Sequence, residues 1–274
     1  MERFIMNQYG KIAFIGAGKM ATAIGKGLVN SGVSVADMSA YDPSAAAAEG
    51  FSRMTGIVCN DSMQVALSGA SIVILAVKPQ FAQSAFAEAA PYLKDSLLIS
   101  IAAGLSIRNL EKMSGIKRIV RVMPNTPALV GAGMSCFAPA EGVSPTDVEN
   151  THSILSSFGK SRQVSEKLMD AVTGLSGSGP AYVFEFIMAL ADGGVYEGLP
   201  RETALELAAQ TVYGAAKMVL ESSESPAILR DAVISPGGTT ARGVAKLDEG
   251  AFRSTVLKAV VAASERSAEL NQCS

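Results

Sequence analysis

Histidine occurs once in the 274 residues, at His152, and cysteine three times, at Cys59, Cys136 and Cys273. A single imidazole leaves no material for a Ser-His-Asp triad or a histidine-rich zinc site, so no metal is expected. Three scattered thiols, an odd number, exclude a disulfide framework and fit a reducing compartment, which makes a cytoplasmic location the expectation. Charge is also scarce. Charged residues are 18% of the chain and the net charge is −2, too little for disorder and without the basic footprint of a nucleic-acid binder. Long apolar runs are missing: "SIVILAV", Ser71 to Val77, has the length of a strand, so no membrane association is expected. The opening "MERFIMNQYG" is too short and too polar to read as a signal peptide.

What is present is apolar matter, 49% of the chain, enough for a sizeable core and for two modest domains. Up to "RIVRVMP" (Arg118 to Pro124), short Val/Ile/Leu runs alternate with helical stretches. That alternation predicts an α/β architecture, a Rossmann-type doubly wound parallel sheet covered by helices on both faces. After about Glu166 the strand-like runs stop. Helical stretches follow, punctuated by "SGSGP", "EGLP" and "SPGGTT". The expected organisation is a nucleotide-binding domain over residues 1–165 and an all-helical domain over 166–274. A helical domain this apolar is expected to bury one face against another subunit.

The stretch "FIGAGKMATAIGKGL" (Phe14 to Leu28) follows the first predicted strand and opens the first predicted helix, the context a dinucleotide fingerprint requires. Gly16 suits the tight turn, Gly18 leaves room for phosphate oxygens to approach backbone amides, and Ala21 takes the helix-packing position. Ile15, Gly16, Ala17, Gly18, Lys19 and Met20 are therefore candidate cofactor contacts. Asp42, 21 positions beyond Ala21, stands where the second strand ends. It suits the ribose hydroxyls of NAD, or simply forms a turn before Pro43.

The other strand-end loops carry small or rigid residues. "AVKPQ" supplies Ala76, Val77, Lys78 and Pro79, with the proline biasing Lys78 to extended backbone. "AAG" supplies Ala102, Ala103 and Gly104, against which a flat nicotinamide could lie. "MPNTP" holds Asn125 in a proline-braced loop.

Two segments carry the family signal: "DAVTGLSGSGPAYVFEFIMALADGGVYEGLPRETA" (Asp170 to Ala204) and "SPGGTTARGVAKLDEGAFR" (Ser235 to Arg253). With "FIGAGKMA", "AVKPQ", "SIAAGLS" and "RVMPNTP", they resemble pyrroline-5-carboxylate reductase from about Lys11 to Leu270. The resemblance implies NADPH- or NADH-dependent reduction of (S)-1-pyrroline-5-carboxylate to L-proline, with helical domains paired into interlocked homodimers and often decamers. It implies that Thr240 hydrogen-bonds the ring nitrogen as the catalytic residue, with Ser235, Gly238 and Thr239 lining the same loop. Glu166 matches a position near substrate, although a glutamate at a helix start has an ordinary electrostatic explanation. The plain alternative for that loop is a helix cap, with Thr240 as N-cap or first-turn residue. Two other functions compete. A β-hydroxyacid dehydrogenase would place a lysine on a central helix, and Tyr182 to Ala191 has none; a non-catalytic NAD(P)-sensing module would have little use for an intact "SPGGTT".

Overall fold

The computed structural model describes residues 9–272; the opening residues 1–8 and Cys273 lie outside them. Among the described residues two compact units are formed, one by residues 9–177 with 263–272, the other by residues 178–262.

The first unit is built on eight strands: β1 (Lys11–Ile15), β2 (Met38–Tyr41), β3 (Val58–Cys59), β4 (Ala70–Leu75), β5 (Leu97–Ser100), β6 (Ile119–Met123), β7 (Gly133–Pro139) and β8 (Gly159–Gln163). Their order, β3-β2-β1-β4-β5-β6-β7-β8, has a topological switch between β1 and β4, where open α/β sheets bind ligands. Period-two alternation sorts each strand's side chains between two cores. Ile12 and Phe14 face a core that includes Ala21, Ile24 and Leu28 of α1 (Lys19–Asn30), Phe51 of α2 (Ala45–Thr55) and Ile154 and Leu155 of α6 (Pro145–Ser156). Ala13 and Ile15 face the other, with Met63 and Leu67 of α3 (Met63–Leu67), Phe86 of α4 (Ala82–Ala89) and Leu110 of α5 (Ile107–Ser114). Both faces are covered, as the continuous apolar runs predict.

Beyond β6 the sheet departs from the sequence expectation. β7 pairs antiparallel with β6, and β8 then runs parallel to β7. Neither strand belongs to the series expected from the sequence, which ends at "RIVRVMP". β8 reads Gly-Lys-Ser-Arg-Gln, with Lys160 and Arg162 exposed. A charged edge strand blocks further pairing but conceals the strand from any search for apolar runs.

After β8, the chain continues through α7 (Met169–Val172) and a π-helical turn at Thr173–Gly177. Unit two then comprises α8 (Gly179–Tyr196), α9 (Arg201–Glu221), α10 (Pro226–Val233), α11 (Thr239–Glu249) and the first part of α12 (Phe252–Gln272). α8 and α9 approach closely because Gly194 has no side chain: a Cβ there would stand 3.1 Å from that of Ala204. Only Ala191, Ala204 and Ala208 form a buried apolar cluster in this unit. Phe184, Met188, Leu207, Tyr213, Leu257 and others remain exposed on the isolated chain. Exposed apolar surface on this scale marks an association surface.

Candidate active site

The glycine loop is stapled to the end of β2 before α1 begins. Gly16 N–H donates to Tyr41 O at 2.8 Å, and Ala17 N–H donates to Asp42 Oδ2 at 2.8 Å. Gly16 has φ of +97°, and a Cβ there would meet the backbone of Ala76 at 2.9 Å, so both conformation and space demand glycine. Gly18 has an ordinary φ of −74°, and nothing lies within 4 Å of where its Cβ would project. The open space therefore sits on the outer side of the loop, where a pyrophosphate would approach. First-turn amides of α1 lack intrahelical acceptors, and no acidic residue stands in that turn. Helix N-terminus, open cradle and tight turn together fit a dinucleotide.

Ile15 and Ala17 are buried, whereas Gly18 and Lys19 are exposed and Met20 is half-buried. Asp42 has a further attachment: its Oδ1 accepts from Ser44 N–H at 2.9 Å. Its carboxylate thus braces both the glycine loop and the turn into α2. Beside it, Ile15, Gly16, Tyr41, Pro43, Met63, Val77, Phe81, Ser84, Ala85 and Glu88 line a cleft of about 180 Å³. Burial, then the negative charges of Glu88 and Asp42, raise the Tyr41 phenol above its ordinary pKa.

Parallel register brings the other predicted loops to the same edge of the sheet. Ile15 pairs with Leu75, and Leu75 with Ser100. Ala76 N–H donates to Ile15 O at 2.8 Å. Val77 is half-buried; Lys78 is exposed in the extended conformation that Pro79 requires. Ala102 is buried, Ala103 exposed, and Gly104 turns with φ of +74°. Asn125 works as a brace: its Oδ1 accepts from Met134 N–H at 2.8 Å, and its Nδ2 donates to Ser176 O at 3.1 Å.

Glu166 lies in a 3-10 turn ahead of α7 and accepts from Ile107 N–H at 2.6 Å, capping α5 from outside. It also accepts from Arg121 Nη1 at 3.3 Å. Arg121 is absent from the candidates read in the sequence, although a charged residue inside the apolar run "RIVRVMP" was a visible signal.

In unit two, Ser235, Pro236, Gly237 and Gly238 form a turn closed by Gly238 N–H to Ser235 O at 3.0 Å, with Gly237 at φ +71°. Pro at the second position and a positive-φ glycine at the third define a type II turn. A Cβ on Gly238 would overlap Ser235 Oγ. Gly238 itself takes the N-cap of α11, with Thr239 first and Thr240 second in the helix. The cap position is therefore Gly238's, and Thr240, half-buried, is a first-turn residue whose hydroxyl makes no cap bond. No acidic residue occupies the first turn, leaving backbone donors for an anion.

Residues 166–270 match the family model for pyrroline-5-carboxylate reductase dimerisation, and residues 11–104 match that for NADP oxidoreductase, coenzyme F420-dependent. A pyrroline-5-carboxylate reductase of Arabidopsis thaliana is 46% identical over 265 residues, covering 96% of each chain. This chain belongs to the pyrroline-5-carboxylate reductase family. A solved Plasmodium falciparum pyrroline carboxylate reductase with NADP bound is 38% identical, with a TM-score of 0.87 over 96% of this chain and 99% of that one. The Coxiella burnetii enzyme is 36% identical, with a TM-score of 0.90 over 96% and 98%. The fold is thus Rossmann-type with a helical dimerisation domain, and the chain is a nicotinamide-dependent oxidoreductase that associates with its own kind. Among the described residues, no group of three or more His, Cys, Asp or Glu is placed to hold a metal. No described helix is long and apolar enough to cross a membrane.

Proposed function

We propose that this chain reduces (S)-1-pyrroline-5-carboxylate to L-proline. The observation that carries the reading is the Ser235–Gly238 turn, which ends at an uncapped helix start with Thr240 in its first turn. The substrate has a ring C=N bond and a carboxylate, and each needs a different kind of donor. Backbone amides at the start of α11 suit the carboxylate. The Thr240 hydroxyl suits the ring nitrogen, whose bonding changes during reaction. NADPH or NADH, when bound, would supply hydride to the imine carbon, the C=N electron pair moving onto nitrogen so that a protonated imine becomes a neutral secondary amine. A protonated imine is the better hydride acceptor, which lessens the need for a strong general acid. The chain's task is to hold ring and nicotinamide face to face and to fix the carboxylate.

In this reading residues 1–165 hold the dinucleotide and residues 166–274 supply dimerisation and substrate contacts, Ser235, Gly238, Thr239 and Thr240 among them. The strand-end residues Ala76 to Pro79, Ala102 to Gly104 and Asn125 border the cofactor, and Glu166 stands near the substrate. Asp42 sets the choice between NADH and NADPH. The dimers assemble further, as decamers, in the cytoplasm.

Proline formation measured with NADH and NADPH side by side tests this. Turnover of the cyclic imine is the expected result. Reaction with a 3-hydroxy acid instead, or no reaction with the imine, overturns it.

A further inference from the structure

Arg121 and Asp147 are the two charged residues buried among those described. Asp147 is matched by a surface arginine, Arg118. Arg121, in the middle of β6, has a side chain only 7% exposed, and it lies between two carboxylates: Glu166 Oε1 at 3.3 Å and Asp170 Oδ1 at 3.9 Å. A buried guanidinium is retained at considerable desolvation cost unless it is paired, so the pairing organises whatever the carboxylates hold.

Each carboxylate holds a different segment. The Glu166 oxygen that meets Arg121 also accepts from Ile107 N–H, where α5 leaves the Ala102–Gly104 loop. Asp170 Oδ1 accepts from Ser267 Oγ at 2.7 Å and Asn271 Nδ2 at 2.5 Å, both in the last turns of α12. Between these attachments the two segments touch: a Cβ on Gly104 would lie 3.5 Å from Leu270 Cβ. One guanidinium thereby ties down both the loop and the helix end that backs it.

We propose that Arg121 is a positioning residue for hydride transfer, acting through Glu166 and Asp170 to clamp the Ala102–Gly104 backbone against the last turn of α12. This rests on the reading that the loop borders the nicotinamide. It also gives Glu166 a role through Arg121 and Ile107 that needs no direct contact with substrate. A displacement of the loop by a fraction of an ångström changes donor–acceptor geometry, while the pyrophosphate cradle at Gly18 stays intact.

Two measurements test it. The first is hydrogen exchange of the apoenzyme. In Ser267→Ala/Asn271→Ala, which shortens one buried and one half-buried side chain without adding volume or removing a large apolar group, amides 102–107 should lose protection together with those of 263–272. Unchanged protection at 102–107 overturns the clamp. The second is kinetic, with Arg121→Lys and the same double variant. Arg121→Lys keeps the charge but loses the fork that spans two carboxylates. Turnover should fall about 10-fold or more, dinucleotide affinity should stay within about 3-fold, and the deuterium isotope effect from 4-deuterated cofactor should rise. Wild-type turnover, or equal losses in affinity and turnover with an unchanged isotope effect, overturns the positioning role. A wild-type enzyme inert toward the imine would remove the functional reading, and the exchange data would still decide the clamp.

Discussion

Asp42 Oδ2 and the backbone N–H of Ala17 are joined by a 2.8 Å hydrogen bond, so the carboxylate expected at the ribose is also a structural part of the glycine loop. Charge and bracing can be separated by mutation. Asp42→Asn keeps an acceptor for Ala17, gives up the one for Ser44 and removes the charge, and it should shift the NADPH-to-NADH affinity ratio by roughly tenfold toward NADPH. Asp42→Ala should weaken both cofactors, because the loop loses its anchor. Fluorescence titration gives both constants; a ratio unmoved in Asp42→Asn would mean the carboxylate does not face the 2′ position.

Gly16 and Gly18 should behave oppositely. Gly18→Val places its side chain in open space at an allowed φ, so the protein should fold while dinucleotide affinity collapses. Gly16→Ala forces a Cβ into the Ala76 backbone at φ +97°, and should cost roughly 2 kcal/mol or more of stability. Calorimetry and cofactor titration of the two variants check the contrast. Unchanged affinity in Gly18→Val would remove the loop from the cofactor site.

Thr240→Val preserves shape and β-branching but removes the hydroxyl. With Gly238 at the cap position, little helix stability should be lost. Turnover should drop by roughly 30- to 1,000-fold, the equivalent of about 2 to 4 kcal/mol, while cofactor affinity holds. Thr240→Ser should retain most activity. Near wild-type turnover in Thr240→Val would leave the hydroxyl without a catalytic task.

The helical unit should not persist alone. With its buried apolar cluster limited to three alanines, and Phe184 and Leu257 exposed, no folded monomer is expected at micromolar concentration. Phe184→Glu/Leu257→Glu should lower both assembly size and thermal stability. Sedimentation that finds a folded wild-type monomer would contradict this.

Acid should weaken the first unit through Asp147. Arg118 donates to both its oxygens, at 2.6 and 2.7 Å, and these bonds, opposed by burial, hold its carboxyl below the usual range. A depressed folded-state pKa stabilises the fold above the unfolded-state value, about 4, and the contribution disappears as pH falls through the folded-state value. Wild-type melting temperature should therefore fall below about pH 4. Asp147→Asn should melt several degrees lower at neutral pH and show a flatter acid limb; parallel profiles for the two proteins would exclude the pair as the cause.

Much of this was written in the sequence because it is local. Apolar runs determine β1 through β6 and the longer helices between them, though not the five-residue α3, since burial on two faces leaves no freedom over which residues point inward. The glycine loop and the Ser235–Thr240 turn are legible for the same reason: a positive φ or a proline acts within its own few residues. Only the tertiary structure decided the rest. β8 has no apolar run to reveal it, being a charged edge that exists because β7 offers free backbone groups. Asp42 has its brace from a residue 25 positions earlier, and Arg121 meets partners up to 49 positions away along the chain, linked onward to Ser267 and Asn271. Such bonds depend on where the sheet and helices bring distant segments together. Local periodicity carries no record of that.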